Sequence, residues 1–91
     1  MPPRFSLFLA ASLLAPVASA QYLLAVESTN KKVLLLDATN GSVINPAYID
    51  LAAVGASTPI EALQVGSEIW VTDQLADSIF RFSLDGTTHL G

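Results

Sequence analysis

EIWVTDQLADSIFRFSLDG, residues Glu68–Gly86, restates an earlier stretch of the same chain, YLLAVESTNKKVLLLDATNG, residues Tyr22–Gly41. Leu24-Ala25-Val26-Glu27 answers Trp70-Val71-Thr72-Asp73, and Val33-Leu34-Leu35-Leu36 answers Ile79-Phe80-Arg81-Phe82, both at an offset of 46 positions. Each copy then reaches a turn dipeptide, Asn40-Gly41 in the first and Asp85-Gly86 in the second, with a slip of one residue. Both dipeptides favour a tight hairpin, because Asn, Asp and Gly tolerate positive φ.

The apolar runs say how those strands are covered. A small one-sided sheet alternates apolar and polar residues, whereas Tyr22–Val26 and Val33–Leu36 are continuously apolar, as strands covered on both faces are. Short strands of this kind, repeating at roughly 40–50 residues, are the signature of β-propeller blades. The predicted fold is therefore all-β, with antiparallel four-stranded blades of an incomplete β-propeller. Strands are expected at Tyr22–Val26 and Lys32–Asp37. An outer strand follows at Ser42–Ile44 and Tyr48–Asp50, interrupted by Asn45-Pro46. Leu51–Pro59 reads as a small-residue linker with a helical turn at Leu51–Val54. Ile60–Val65, Ser67–Thr72, Ser78–Leu84 and Thr87–Leu90 make the second blade, with Phe80, Phe82 and Leu84 on one face. Residues 21–58 thus hold a partial first blade and its linker, and residues 59–91 the second blade. The first blade lacks an inner strand, and the expectation is an N-terminal part of a longer ring; the alternative is a small self-contained sheet of roughly four to seven strands that oligomerises.

Residues 1–20 are of another kind. Arg4 supplies a positive start, Phe5–Ala15 an apolar stretch, and Ala18-Ser19-Ala20 a small-x-small cleavage site. This is a secretory signal peptide, cleaved to leave Gln21 first. The apolar run is broken by Pro16, short of the roughly 20 residues a bilayer span needs. The expected location is secreted or periplasmic, with no membrane span after cleavage.

The whole chain carries a formal charge of −4, and loss of Arg4 leaves Lys31, Lys32 and Arg81 against eight acids. Phosphate-backbone binding relies on clustered Lys and Arg, so a nucleic-acid partner is not expected. There is no cysteine. A small exported domain without disulfides must find its stability in packing against a larger body.

The segment Ile69-Trp70-Val71-Thr72-Asp73, then Asp77-Ser78-Ile79-Phe80-Arg81-Phe82, then Asp85-Gly86, resembles blades of the NHL and YVTN-type propeller families. Those blades run apolar strand, Asp, polar turn, Arg/Lys-Ile-x-x-Phe/Tyr strand, then an Asp/Asn-Gly turn. Pro59–Gly91 covers one such blade, and Tyr22–Ile49 the last three strands of the one before it. The family's usual Pro-x-Gly entry to the inner strand is replaced by Pro59-Ile60-Glu61. The resemblance implies a fold; a fold does not imply an activity.

The resemblance also implies that ligands meet the face around the channel mouth. Glu27, Asp73 and Asp77 fall in loops expected there, beside Leu51–Pro59. Carboxylates on that face could hold Ca²⁺, which takes six to eight oxygens. Asp73-x-x-x-Asp77 is not a calcium-loop pattern, however, and an Asp ending a strand ordinarily caps its own turn. Glu61 occupies a place loosely similar to a metal-ligating Glu of gluconolactonase-type propellers, without matching flanks. A solvated, channel-lining Glu is the plainer reading. His89 is the only histidine, and no Ser or Cys stands near it in a nucleophile context. Gly55-Ala56-Ser57-Thr58-Pro59 is not a nucleophile elbow, and Trp70, within an Ile-Trp-Val run, is expected in the core. Asn40-Gly41-Ser42 fits the N-glycosylation pattern as well as the hairpin turn.

Glu27, Glu61, Asp73 and Asp77 are thus ligand-face candidates, with no catalytic or metal set among them and no cofactor expected beyond the Ca²⁺ just weighed. The leading expectation is an exported, non-catalytic propeller that binds an unidentified ligand or protein through its channel face. The alternative is a fragment of a metal-dependent propeller hydrolase or lactonase.

Overall fold

A computed structural model of the protein describes residues 21–91, so the expected signal peptide lies outside the described residues. The described chain is all-β apart from one 3₁₀ turn. β1 (Tyr22–Glu27), β2 (Lys32–Asp37) and β3 (Val43–Asp50) form an antiparallel N-terminal sheet in the order β1-β2-β3. β4 (Pro59–Val65), β5 (Glu68–Asp73) and β6 (Ser78–Ser83) form an antiparallel C-terminal sheet in the order β4-β5-β6.

The sequence repeat is reproduced residue for residue in the pairing. Tyr22 lies opposite Asp37 and Glu27 opposite Lys32; 46 positions later, Glu68 lies opposite Ser83 and Asp73 opposite Ser78. The one-residue slip sits inside the turns. Gly41 N–H donates to the Asp37 carbonyl, four residues back, whereas Gly86 N–H donates to Ser83, three residues back.

β3 is one strand where two pieces are expected from the sequence. It lies at the sheet edge, where Pro46 need not donate to a ladder. Register shifts opposite Val33–Leu36 absorb Asn45-Pro46, and the Asn45 side chain accepts from Ala47 N–H at 2.9 Å. The expected helical turn is present as a 3₁₀ turn at Leu51–Val54. Asp50 caps it by accepting from Ala52 N–H, and Gly55, in the left-handed region, closes it. Asp50 also binds Lys32 Nζ at 2.8 Å, tying the turn to β2.

Directly opposed residues of an antiparallel pair share a face, so the registers sort the side chains. Leu24, Val26, Val33 and Ile49 look from the N-terminal sheet toward the C-terminal one; Ile69, Val71, Phe80 and Phe82 look back. Val33, Ile49, Ile69, Val71 and Phe82 are buried, and Leu51 and Ala56 of the connecting segment complete the core. The outer corner is pinned by Tyr48, whose hydroxyl donates to the Leu84 carbonyl at 2.7 Å.

Three sequence expectations are corrected. The four-stranded blades are three-stranded sheets: Thr87–Leu90 is not a strand, but touches β6 through a single bridge, Phe82 to His89, and backbone hydrogen bonds from Ser83 to Thr88 and from Leu90 to Arg81. The strand expected to run to Leu84 ends at Ser83, and Leu84 is exposed just past it. Trp70 is not core either. It points away from the inter-sheet core and is half-buried, because β5 alternates and Ile69 and Val71 take the inward places.

Candidate functional site

The four candidate carboxylates sit at or near one end of the two sheets, but they do not converge. Asp73 ends β5 on the inward face and is buried. Its Oδ2 accepts from Ser57 N–H at 2.7 Å, and its Oδ1 from Thr58 and Ala76 N–H, each at 3.0 Å. Burial alone would raise its pKa. The N–H donors of Thr58, Ala76 and Ser57 outweigh that and hold the carboxyl below its ordinary value. The Asp73 carboxylate therefore clamps the strand-entry segment before β4 to the β5–β6 turn.

Glu27 does a smaller version of the same work at the equivalent place. Its Oε1 accepts from Asn30 N–H at 2.9 Å, three residues on, as Asp73 does from Ala76. The β1–β2 turn is in turn joined to the connecting segment, since Leu51 N–H donates to the Lys31 carbonyl at 2.9 Å. Asp77 is exposed, with φ of 49°, and supplies the last turn residue before β6. Glu61 is exposed on β4, opposite Thr72, and so belongs to the face turned away from Asp73. Among the described residues no three His, Asp or Glu side chains stand together at metal-binding spacing. Turn chemistry thus accounts for Glu27 and Asp73, and backbone conformation for the position of Asp77.

His89 stacks on the β6 aromatics, its ring centroid 5.2 Å from Phe82 and 5.9 Å from Phe80. On the far face of the C-terminal sheet, Glu68 gathers two donors that sequence reasoning left apart. Trp70 Nε1 donates to its Oε1 at 2.9 Å, and Arg81 Nη1 lies 3.1 and 3.2 Å from its two oxygens. The Trp70 hydrogen bond, opposed by partial burial and aided by the Arg81 charge, holds the Glu68 carboxyl below its ordinary value. Period-2 alternation in Glu68-Ile69-Trp70, with Arg81 opposite Trp70, was the available signal.

A groove of about 460 Å³ lies between the sheets, at the end opposite the Asp73 clamp. Tyr22, Leu23, Leu24 and Leu35 line one wall and Ala62, Leu63, Gln64 and Ile69 the other, Leu23 and Leu63 reaching it from the edge strands β1 and β4. No sequence motif marks it, because its walls come from strands that meet only when the sheets pack. No family model, curated protein or solved structure matches this chain.

Proposed function

We propose that these residues form adjacent blades of an exported β-propeller that serves as a non-catalytic binding module. A ligand or partner would meet the loop end built from Glu27–Asn30, Leu51–Pro59 and Asp73–Asp77. The observation that carries this reading is the Asp73 clamp. The one buried carboxylate at that end spends its oxygens on three backbone N–H groups, which makes a fixed platform of loops rather than a free acid or base. Loops held on a rigid sheet are where binding residues ordinarily sit.

The alternative, a metal-dependent hydrolase or lactonase on the same fold, rests on Glu61, which is exposed on the strand that follows the platform. The two readings separate in one experiment. The exported protein is assayed for ester and lactone hydrolysis, and for thermal stabilisation, with and without Ca²⁺. The binding module predicts no turnover and no Ca²⁺-dependent shift in Tm. Turnover lost in Glu61→Gln, together with a Ca²⁺-dependent Tm, would establish the hydrolase instead.

A further inference from the structure

The two sheets meet through unlike faces. The repeat maps the inward residues of the C-terminal sheet, Ile69, Val71, Phe80 and Phe82, onto Leu23, Ala25, Leu34 and Leu36. Those four lie on the far side of the N-terminal sheet, since Leu23 opposes Leu36 and Ala25 opposes Leu34 out of phase with Val26 and Val33. In reverse, inward Leu24, Val26 and Val33 map onto Trp70, Thr72 and Ile79, on the far side of the C-terminal sheet. The sheets are therefore stacked the same way up, and each molecule presents on its two far faces the positions that make the contact inside, with Tyr22, Val26 and Leu35 replaced by Glu68, Thr72 and Arg81 on the second.

Both far faces are suited to being covered. Leu23 is 51% exposed on one, and Leu63 and Ile79 are 49% and 52% exposed on the other. Three polar groups of the second face are already matched: Glu68 takes the Trp70 N–H and the Arg81 guanidinium, and Arg81 Nη2 also reaches the Leu90 carbonyl at 3.3 Å; Glu61, on the edge strand β4 of the same face, is exposed. A sheet laid over β5 and β6, with Glu61 left at the solvent-facing edge, keeps Glu68, Trp70 and Arg81 paired, which lowers the cost of covering them.

We infer that this chain associates head to tail with further copies of itself, the Leu23/Leu34/Leu36 face of one molecule packing on the Leu63/Trp70/Ile79 face of the next. The occupant is a second copy because the surface that completes the contact is one the chain itself presents, by the repeat that already built the internal interface. The repeat and the two face assignments favour this pairing whether or not the loop end binds a ligand. A contact between two different patches is heterologous, so it closes into a ring if the rotation per copy allows and otherwise grows as a fibre.

The test uses two single-face variants, Leu23→Glu and Ile79→Glu, expressed from the whole sequence and measured by size-exclusion chromatography with light scattering. The unaltered protein should run as a higher oligomer. Each variant alone should be a monomer, because one half of every contact is spoiled. An equimolar mixture should give a dimer that grows no further, since one intact half of each kind remains. Folding of the variants is checked by far-UV circular dichroism, and if either is unfolded, Leu23→Ser and Ile79→Thr replace them with the same expected pattern. A monomeric parent protein, variants that keep the parent mass, or a mixture that stays monomeric would overturn the inference.

Discussion

Lys31 and Asp77, 46 positions apart, both hold left-handed backbone, with φ of 58° and 49°. Each stands immediately before the second strand of its hairpin, and neither is glycine. The repeat is thus conformational as well as compositional: the same unusual backbone step closes both turns, whether the side chain is basic or acidic. A shared charge would have pointed to a ligand site. A shared φ points to the turn.

Asp77→Gly should therefore keep or slightly raise stability, because glycine meets the backbone requirement without a Cβ penalty. Asp77→Val should cost about 1–2 kcal/mol, the ordinary penalty of left-handed backbone for an L side chain. Urea unfolding of the two variants checks the ordering, and a larger loss for the glycine variant would show that the carboxylate matters.

Phe82→Ala should cost about 3–5 kcal/mol, since its ring is buried between the sheets against Ile69 and His89. Phe80→Ala should cost less, because Phe80 is only half-buried at the core's margin. Equal losses at the two positions would contradict the depth assigned to each.

Gly41 and Gly86 share a positive φ, 76° and 77°, but not a neighbourhood. A Cβ at Gly41 meets open space, whereas one at Gly86 would stand 2.9 Å from the Tyr48 carbonyl and 3.2 Å from Ile49 Cγ1. Gly41→Ala should lose about 1–2 kcal/mol, and Gly86→Ala distinctly more, because the clash is with the backbone of β3. Thermal melts of both variants measure the gap.

Acid should unfold the protein over a defined window. The Ser83 and Thr87 hydroxyls donate to Asp85 and, with the Thr87 N–H, bring its pKa from 3.8 down to about 2. A folded-state value below the unfolded one means that the stabilisation is complete above pH 3.8 and is lost as pH falls toward about 2. Asp73 shifts in the same direction. The urea midpoint should drop across that interval, and Asp85→Asn should flatten part of the drop.

Expressed with its own first twenty residues in a secreting host, the protein should begin at Gln21. Edman sequencing or intact mass of the exported material decides it; an unprocessed Met1 in that material would refute the signal-peptide reading of Arg4, Phe5–Ala15 and Ala18-Ser19-Ala20.

Hairpins were the most legible part of this chain. Asn-Gly and Asp-Gly fix turns through local backbone sterics, and the apolar runs beside them fix where strands can lie, so β1, β2, β5 and β6 could be placed from residues alone. The 3₁₀ turn was legible for the same reason, as Asp50 and Gly55 bracket four residues that need no distant partner. Pro46 disfavours a strand locally, so the sequence predicts a break in β3; the edge position that makes the proline harmless is a property of the sheet. Turn capping by Asp73 toward Ala76 was legible, being a contact three residues long. Its hold on the segment before β4 was not, because Ser57 and Thr58 reach it from 16 and 15 residues away.

The sequence by itself determined the hairpins, the repeat and its one-residue slip, since each depends on φ preferences and side-chain periods within a few residues. Only the tertiary structure decided which face of each strand is covered. Trp70 and Val71 are equally apolar neighbours, and a period of two puts one in and the other out without saying which. The choice fell to the packing of the sheets, where Ile69, Val71 and Phe82 meet Val33 and Ile49, and where Trp70, turned outward, needed Glu68 to satisfy its indole N–H.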